Sequence, residues 1–176
     1  MKMRNHMFCA ILIPKIINNN VVSTCDEEGR EVIVMGRGVG FKAKEGSTID
    51  EEKVEKIFRL ESQNTMDKFK ELLENLPMEH VQISAEIIGY AKEVLNRPIN
   101  PNVYITLTDH INFALERYKQ KMMFSNPLIR EVRSFYHAEY LIGEYAIAMI
   151  ERDLGVKLPV DEAASIALHI VNAEYD

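Results

Sequence analysis

Hydrophobic and polar residues alternate over the first sixty residues, in short runs that are separated by turn signals. The β-prone runs are 13–17, 21–25, 31–35 and 54–60. Asn18-Asn19-Asn20 and Asp26–Gly29 are typical of turns, whereas the run at 54–60 has helical character as well. We predict a small antiparallel sheet of four strands. Such a sheet has little core, and dimerisation is a common way to stabilise it.

The hydrophobic period changes from two to about 3.6 residues after a polar stretch at 61–65. We interpret 61–68 as a linker and 69–176 as a helical domain. Its five expected helices begin near Phe69, Ser84, Thr106, Asn126 and Pro159. The fourth is expected to run to Gly155 with a break near Gly143. The predicted fold class is α+β with two domains: a dimerising four-stranded antiparallel sheet over 1–60, then an all-α five-helix bundle.

The composition is that of an ordinary globular protein, with 176 residues, 47% hydrophobic and 27% charged. The apolar run at 7–14 is far below the roughly 18 residues of a membrane helix. It follows two basic residues, yet no small-residue cleavage site comes after it. We therefore expect a cytoplasmic protein without membrane insertion, with Cys9 and Cys25 as reduced thiols.

The net charge of −6 is unevenly distributed along the chain. Residues 1–60 carry ten Lys and Arg against nine Asp and Glu, while 61–176 carry eleven against eighteen. An acidic domain is a poor surface for nucleic acid. Any binding of nucleic acid must therefore depend on a few well-placed side chains in the first sixty residues.

Two polar clusters interrupt the predicted strands and suit base recognition. One is Lys15 with the turn Asn18–Asn20; the other is Gly36-Arg37-Gly38 with Phe41 and Lys42. An Asn amide matches a base edge, an Arg fork matches guanine or phosphate, and Phe offers a stacking face for an unpaired base. The same residues also suit an ordinary turn, loop and core, so residue types alone leave RNA contact open. The glycine-rich segment lacks the Walker ending and the following helix of a nucleotide-binding loop.

Two of the five histidines lie in informative segments. We place His110, in TLTDHINFA, about one turn into a helix capped by Thr106 and Asp109. The free N–H groups of such a turn would accommodate a phosphoryl group. His169 lies in the apolar stripe of IALHIVNAE, where a polar ring needs partners or an interface. The alternative is two satisfied core histidines. No metal-ligand spacing or nucleophile motif occurs, so we expect no catalytic residue, metal or cofactor.

Four segments taken in order carry a family resemblance: KIINNNVV at 15–22, VMGRGVGF at 34–41, LTDHINFA at 107–114 and ALHIVNAE at 167–174. They resemble the BglG/SacY family of sugar-operon transcriptional antiterminators, over about residues 13–176. The resemblance implies a co-antiterminator RNA-binding domain and then a first PTS regulation domain. It also implies a homodimer of four-stranded sheets that binds an RNA hairpin in a leader transcript. Terminator formation is then prevented, and transcription continues.

The resemblance also implies roles for particular residues. The RNA-contacting positions of the family match Lys15, Asn18, Asn20, Gly36, Arg37 and Phe41. His110 and His169 match its phosphorylatable histidines, and Asp109 matches an aspartate beside the first of them. The implied phosphoryl donors are proteins of the sugar phosphotransferase system, either HPr or a sugar-specific permease component. We expect phosphorylation of His110 to lower RNA binding or antitermination.

Three features depart from the family pattern. Members usually carry a second regulation domain, whereas this sequence ends at Asp176. Residues 1–12 extend beyond the usual start, which puts the initiator Met in doubt. The RNA-binding part is only weakly basic.

Three other functions stay open. These are a phosphotransfer component, a DNA-binding repressor and a dimerisation protein without a ligand. The sequence predicts no N-terminal helix-turn-helix of the kind that a DNA-binding repressor usually has.

Overall fold

The computed structural model describes residues 13, 15–60, 62–122 and 124–175. The extension 1–12, with Cys9, lies outside these residues, and Cys25 is an exposed free thiol. The chain divides into two compact units, 1–75 and 76–176. A four-stranded antiparallel sheet occupies the first and helices form the second, so the predicted α+β class is confirmed.

The sheet has the strand order β1-β2-β3-β4, and every neighbouring pair is antiparallel. The strands are β1 (Lys15–Asn18), β2 (Val21–Cys25), β3 (Glu31–Met35) and β4 (Lys56–Phe58). All four were predicted, but β4 is shorter than the run at 54–60. A single 3₁₀ turn at Glu51–Lys53 precedes it, which accounts for the helical character of that segment.

Both faces of β3 are buried, because consecutive side chains of a strand point to opposite faces. Val32 and Val34 pack on one face with residues from the flanking loops. On the other face, Ile33 pairs in register with Phe58 of β4, and the Phe58 ring meets the Phe69 ring edge-on at 5.0 Å. The sheet is therefore covered on this second face by the helix that carries Phe69.

This helix, α1 (Gln63–Asn75), occupies most of the stretch that we interpreted as a linker. It buries Met66, Phe69 and Leu73. Glu31 of β3 fixes its first turns, since this carboxylate accepts hydrogen bonds from Gln63 at 2.9 Å and Lys70 at 2.5 Å. The packing places α1 in the same compact unit as the sheet. The functional division at 61–68 stays a prediction.

The described part of the second unit contains five helices. They are α2 (Met78–Leu95), α3 (Val103–Lys119), α4 (Ile129–Phe135), α5 (His137–Leu154) and α6 (Asp161–Tyr175). The predicted long fourth helix is split at Tyr136, not near Gly143. Gly143 instead lets α5 approach α6, because a Cβ there would overlap the carbonyl group of Ala163.

The predicted start of α3 at Thr106 is wrong by about one turn. The helix begins at Val103, because the Asn100 side chain accepts the N–H of Asn102 at 2.9 Å and folds a turn just before it. Thr106 and Asp109 therefore do not cap α3. His110 is its eighth residue and lies in the third turn, away from the free N–H groups of the first.

Within the described ranges, no helix is both long and apolar enough to cross a membrane.

Candidate RNA-contact loop and histidine site

The two polar clusters of the first unit are joined by hydrogen bonds, although about fifteen residues separate them in sequence. We call Asn18–Asn20 the asparagine turn and Gly36–Phe41 the glycine loop. The N–H of Gly36 donates to the Asn20 carbonyl at 2.9 Å, and that of Gly38 donates to the Asn20 side chain at 2.8 Å. Gly40 donates to the Asn19 carbonyl at 3.0 Å. The fold thus brings together most of the residues that the family motif assigns to RNA contact.

The first two glycines of the loop are required by the backbone itself. A Cβ at Gly36 would overlap the carbonyl oxygen of Lys53, and Gly38 has a φ of +70°, where side chains are strained. The loop can therefore turn sharply over the end of the sheet. A direct contact of Gly36 with RNA stays a prediction, since packing alone already explains this glycine.

The side chains at the tip of the glycine loop point into solvent. Phe41 is 58% exposed, so it is no part of the core. The Lys42 ammonium lies 5.4 Å from the centre of its ring, and Arg37 is exposed with no partner for its guanidinium in the described part of the chain. One loop thus offers a stacking face, a planar donor fork and a second cation.

Lys15 and Asn18, in contrast, already make contacts with the end of α1. The Asn18 amide donates to the Leu73 carbonyl at 3.0 Å, and its oxygen accepts from the N–H of Asn20 at 2.8 Å. The Lys15 ammonium lies 3.9 Å from the Glu74 carboxylate. Both ends of the Asn18 side chain are therefore occupied in this structure.

In the second unit, α3 and α6 bring His110 and His169 into direct contact. Their ring centres lie 4.7 Å apart and their planes are tilted by 44°. The side chain of His110 is only 16% exposed, and its Nε2 lies 3.0 Å from a carboxylate oxygen of Glu162. The pair predicted from sequence is thus a single site, shared between two helices.

Glu162 and Arg117 complete this site, and sequence reasoning missed both. The Arg117 guanidinium donates to the second oxygen of Glu162 at 2.6 Å, and it is flanked by the rings of Phe113 and Phe124 at 4.8 and 4.5 Å. Glu162 is 3% exposed and lies in the first turn of α6, where the helix dipole favours an acid. A usable signal existed, since each residue lies seven positions, or two helical turns, from a histidine.

His169 differs from His110 in its bonding and its protonation. Burial, and secondarily the charge of His110, lowers the pKa of His169 to about 4 from its ordinary value of 6.5. Its ring is therefore neutral near pH 7, with a free lone pair for a nucleophilic reaction. No described residue forms a hydrogen bond to either of its nitrogens.

Other candidate features of the site are not brought together. Asp109 is exposed, and no hydrogen bond or ion pair between described residues joins it to either ring. Adjacent residues on a helix face different directions, which explains why closeness in sequence does not place it near the His110 ring. Among the residues that the structure covers, no group of three or more His, Cys, Asp or Glu side chains could hold a metal ion.

Comparison with known families agrees with the order of a sheet unit before a helical unit. Residues 11–67 match the model of the CAT RNA binding domain, and 85–173 match that of the PRD domain. These matches define the class of protein as a nucleic-acid-binding module followed by a regulation module. The chain belongs to the family of proteins in which a CAT RNA binding domain is followed by a PRD domain, as its motifs indicated.

The similar proteins extend well beyond the length of this chain. The transcription antiterminator LicT of Bacillus subtilis is 47% identical over 92% of the chain, and the beta-glucoside operon antiterminator of Dickeya chrysanthemi is 46% identical over 93%. The chain spans 58% of the length of each. The crystal structure of GlcT CAT-PRDI superposes with a TM-score of 0.81 at 35% identity, over 94% of this chain and 99% of that one.

Proposed function

We propose that this chain is an RNA-binding transcriptional antiterminator of a sugar-utilisation operon. As a homodimer in the cytoplasm, it binds a hairpin in a leader transcript and prevents formation of the overlapping terminator. One observation above all supports this function: the asparagine turn is hydrogen-bonded to a loop that presents Arg37, Phe41 and Lys42 to solvent. Two relatives are named as antiterminators, which are regulators and not enzymes.

The chemistry of the loop suits a distorted hairpin better than a regular duplex. Phe41 stacks on an unpaired base, and Arg37 bonds a guanine edge or a phosphate. Asn20 donates through its amide group to a base edge, while its oxygen holds Gly38. One loop provides few contacts and little net charge. A dimer presents the set twice, which is the reason to expect binding only when two protomers pair.

Control by phosphorylation is the second part of the proposal. A phosphorylated protein of the sugar phosphotransferase system, HPr or a sugar-specific permease component, transfers its phosphoryl group to His110 or His169. The group adds about −1.5 to −2 charges at neutral pH. On two paired protomers these charges repel each other, so the dimer that binds RNA is disfavoured. Phosphorylation of His110 is accordingly inhibitory.

Binding of a leader hairpin by the Arg37→Ala variant tests the first part. Loss of a bidentate contact costs about 1–3 kcal/mol, so the dissociation constant should rise about tenfold or more. Lys44→Ala is the matched control, because it removes one positive charge from another exposed residue of the same unit. Gel shifts at fixed salt concentration measure both variants. An equal loss in both, or equal binding of duplex DNA by the wild type, would contradict specific recognition of the hairpin.

A further inference from the structure

A small cavity opens beside His169, on the side of the ring where α3 begins. Its volume is about 190 Å³. The polar side chains that line it with His169 are Asn100, Asn102, Thr106 and Asn172. None of the described residues in this lining carries a carboxylate, although the chain as a whole is acidic.

The polar groups of this cavity are available as hydrogen-bond donors. Each Asn amide nitrogen carries two hydrogens, and Thr106 adds a hydroxyl group. Among contacts between described residues, the only one of these four side chains that is engaged is that of Asn100, whose oxygen accepts the N–H of Asn102. Asn102 precedes α3 without capping it through its side chain, and Asn172 is exposed on α6. Four neutral donor groups therefore surround a space next to a histidine ring.

The surroundings of the His110 nitrogen are the opposite. Its Nε2 is 3.0 Å from the buried carboxylate of Glu162. A phosphoryl group on this atom would lose that hydrogen bond and bring a dianion next to a carboxylate whose counter-charge, Arg117, is already bound to its other oxygen. His169 has no such neighbour in its cavity, and the positive end of the α3 dipole, at Val103, also borders it.

We propose that this asparagine-lined cavity receives the phosphoryl group of His169, with the amides of Asn102 and Asn172 as donors to its oxygens. The inference rests on the proposed function, in which His169 is a phosphorylation site. A lone pair of the neutral ring attacks phosphorus, and an N–P bond forms while the P–N bond of the donor breaks. That electron pair returns to the donor nitrogen, which takes up a proton, and the ring releases its N–H proton to water.

Phosphorylation of the whole chain by phosphoramidate, a small donor that needs no docking surface, provides the test. Mass spectrometry measures the rate at His169 at pH 8, where the ring is neutral. Asn102→Asp and Asn172→Asp change the shape little but place a carboxylate at the cavity, so the rate should fall about tenfold through charge repulsion. Asp is as good as Asn at position 102, just before α3, and Asn172 is exposed in the last turn of α6, so both variants should fold.

Gln120→Glu is the matched control, since it adds the same charge just after the opposite end of α3, roughly 25 Å away along the helix. Its rate should equal that of the wild type. If both cavity variants react as fast as the wild type, the cavity has no part in holding the phosphoryl group, while phosphorylation itself stands. The same conclusion follows if the Gln120→Glu control slows the reaction as much as the cavity variants do. If His169 of the wild type takes up no phosphoryl group at all, the cavity and the regulatory role of His169 both fail.

Discussion

The low pKa of His169 makes the stability of the helical unit depend on pH. Burial, and then the charge of His110, lowers the pKa of His169 to about 4 in the folded protein, whereas its ordinary value of 6.5 applies in the unfolded chain. Between these values the unfolded chain takes up a proton that the folded protein does not. The stabilising contribution is therefore complete above about pH 6.5, and it is lost as the pH falls towards 4.

At pH 5 this proton uptake should cost about 2 kcal/mol of unfolding free energy relative to pH 7.5. Replacement by Gln at position 169 removes the titrating ring, so the difference between the two pH values should shrink by that amount. Urea unfolding followed by the helical circular dichroism signal measures it. Other groups, such as Glu174 with its raised pKa, titrate in both proteins and cancel in the comparison. An equal pH dependence in wild type and variant would show that His169 titrates normally.

At the level of single residues, the sequence identifies the chemistry of the histidine site but not its partners. His110 stands out by its predicted place near the start of a helix, and His169 because a polar ring interrupts an apolar stripe. Their contact, and the bonds through Glu162 and Arg117, depend on how α3 packs on α6. The spacing of two helical turns places Arg117 on the face of His110 and Glu162 on the face of His169, but a single sequence does not show that these two faces meet.

The end of α1 is bound to two of the residues that the family motif assigns to RNA. Asn18 donates one amide hydrogen to the Leu73 carbonyl, and its oxygen accepts the N–H of Asn20, so a base edge would meet only the second amide hydrogen there. If Asn18 is to use both amide hydrogens on RNA, as its proposed role implies, the last turn of α1 must move away. The pair between Lys15 and Glu74 is exposed and adds little to this contact.

Loosening the last turn of α1 should therefore strengthen RNA binding. Glu71→Gly, at an exposed position, lowers helix stability by about 1 kcal/mol, which predicts an increase in affinity of up to about fivefold. Glu93→Gly in α2 removes the same charge at an exposed position of another helix and is the control. Titration of both variants with the leader hairpin measures their dissociation constants and tests this prediction. Weaker binding by Glu71→Gly would mean that α1 positions Asn18 for RNA.

Periodicity predicts the elements of this chain better than their boundaries and neighbours. The strands follow from β-branched runs between turns, and the helix at 69 from an apolar stripe. The apolar stripe of Phe69 and Leu73 predicts a helix with one buried face. It does not show whether that face packs on a sheet or on other helices. Similarly, the capping-box spacing of Thr106 and Asp109 is a local signal, and the turn at Asn100–Asn102 overrides it.

On the scale of the whole molecule, recognition and control are assigned to different compact units. The predicted RNA-contact residues lie within 1–75, and both histidines lie within 76–176. Any effect of phosphorylation on RNA must therefore be a coupling free energy between separate sites. In the proposed mechanism this coupling acts through the stability of the dimer, since paired loops bind the hairpin and paired phosphoryl groups repel each other.

His110→Asp imitates part of the phosphoryl charge, because it places a second carboxylate beside the buried Glu162. We expect its affinity for the leader hairpin to fall about 5- to 100-fold, together with a shift from dimer to monomer in sedimentation experiments. His110→Gln, which loses the ring without adding charge, should retain both properties. If the Asp variant dimerises and binds as the wild type does, charge at His110 does not inhibit. If it binds weakly while it remains a dimer, the repulsion acts on the orientation of the paired loops and not on pairing itself.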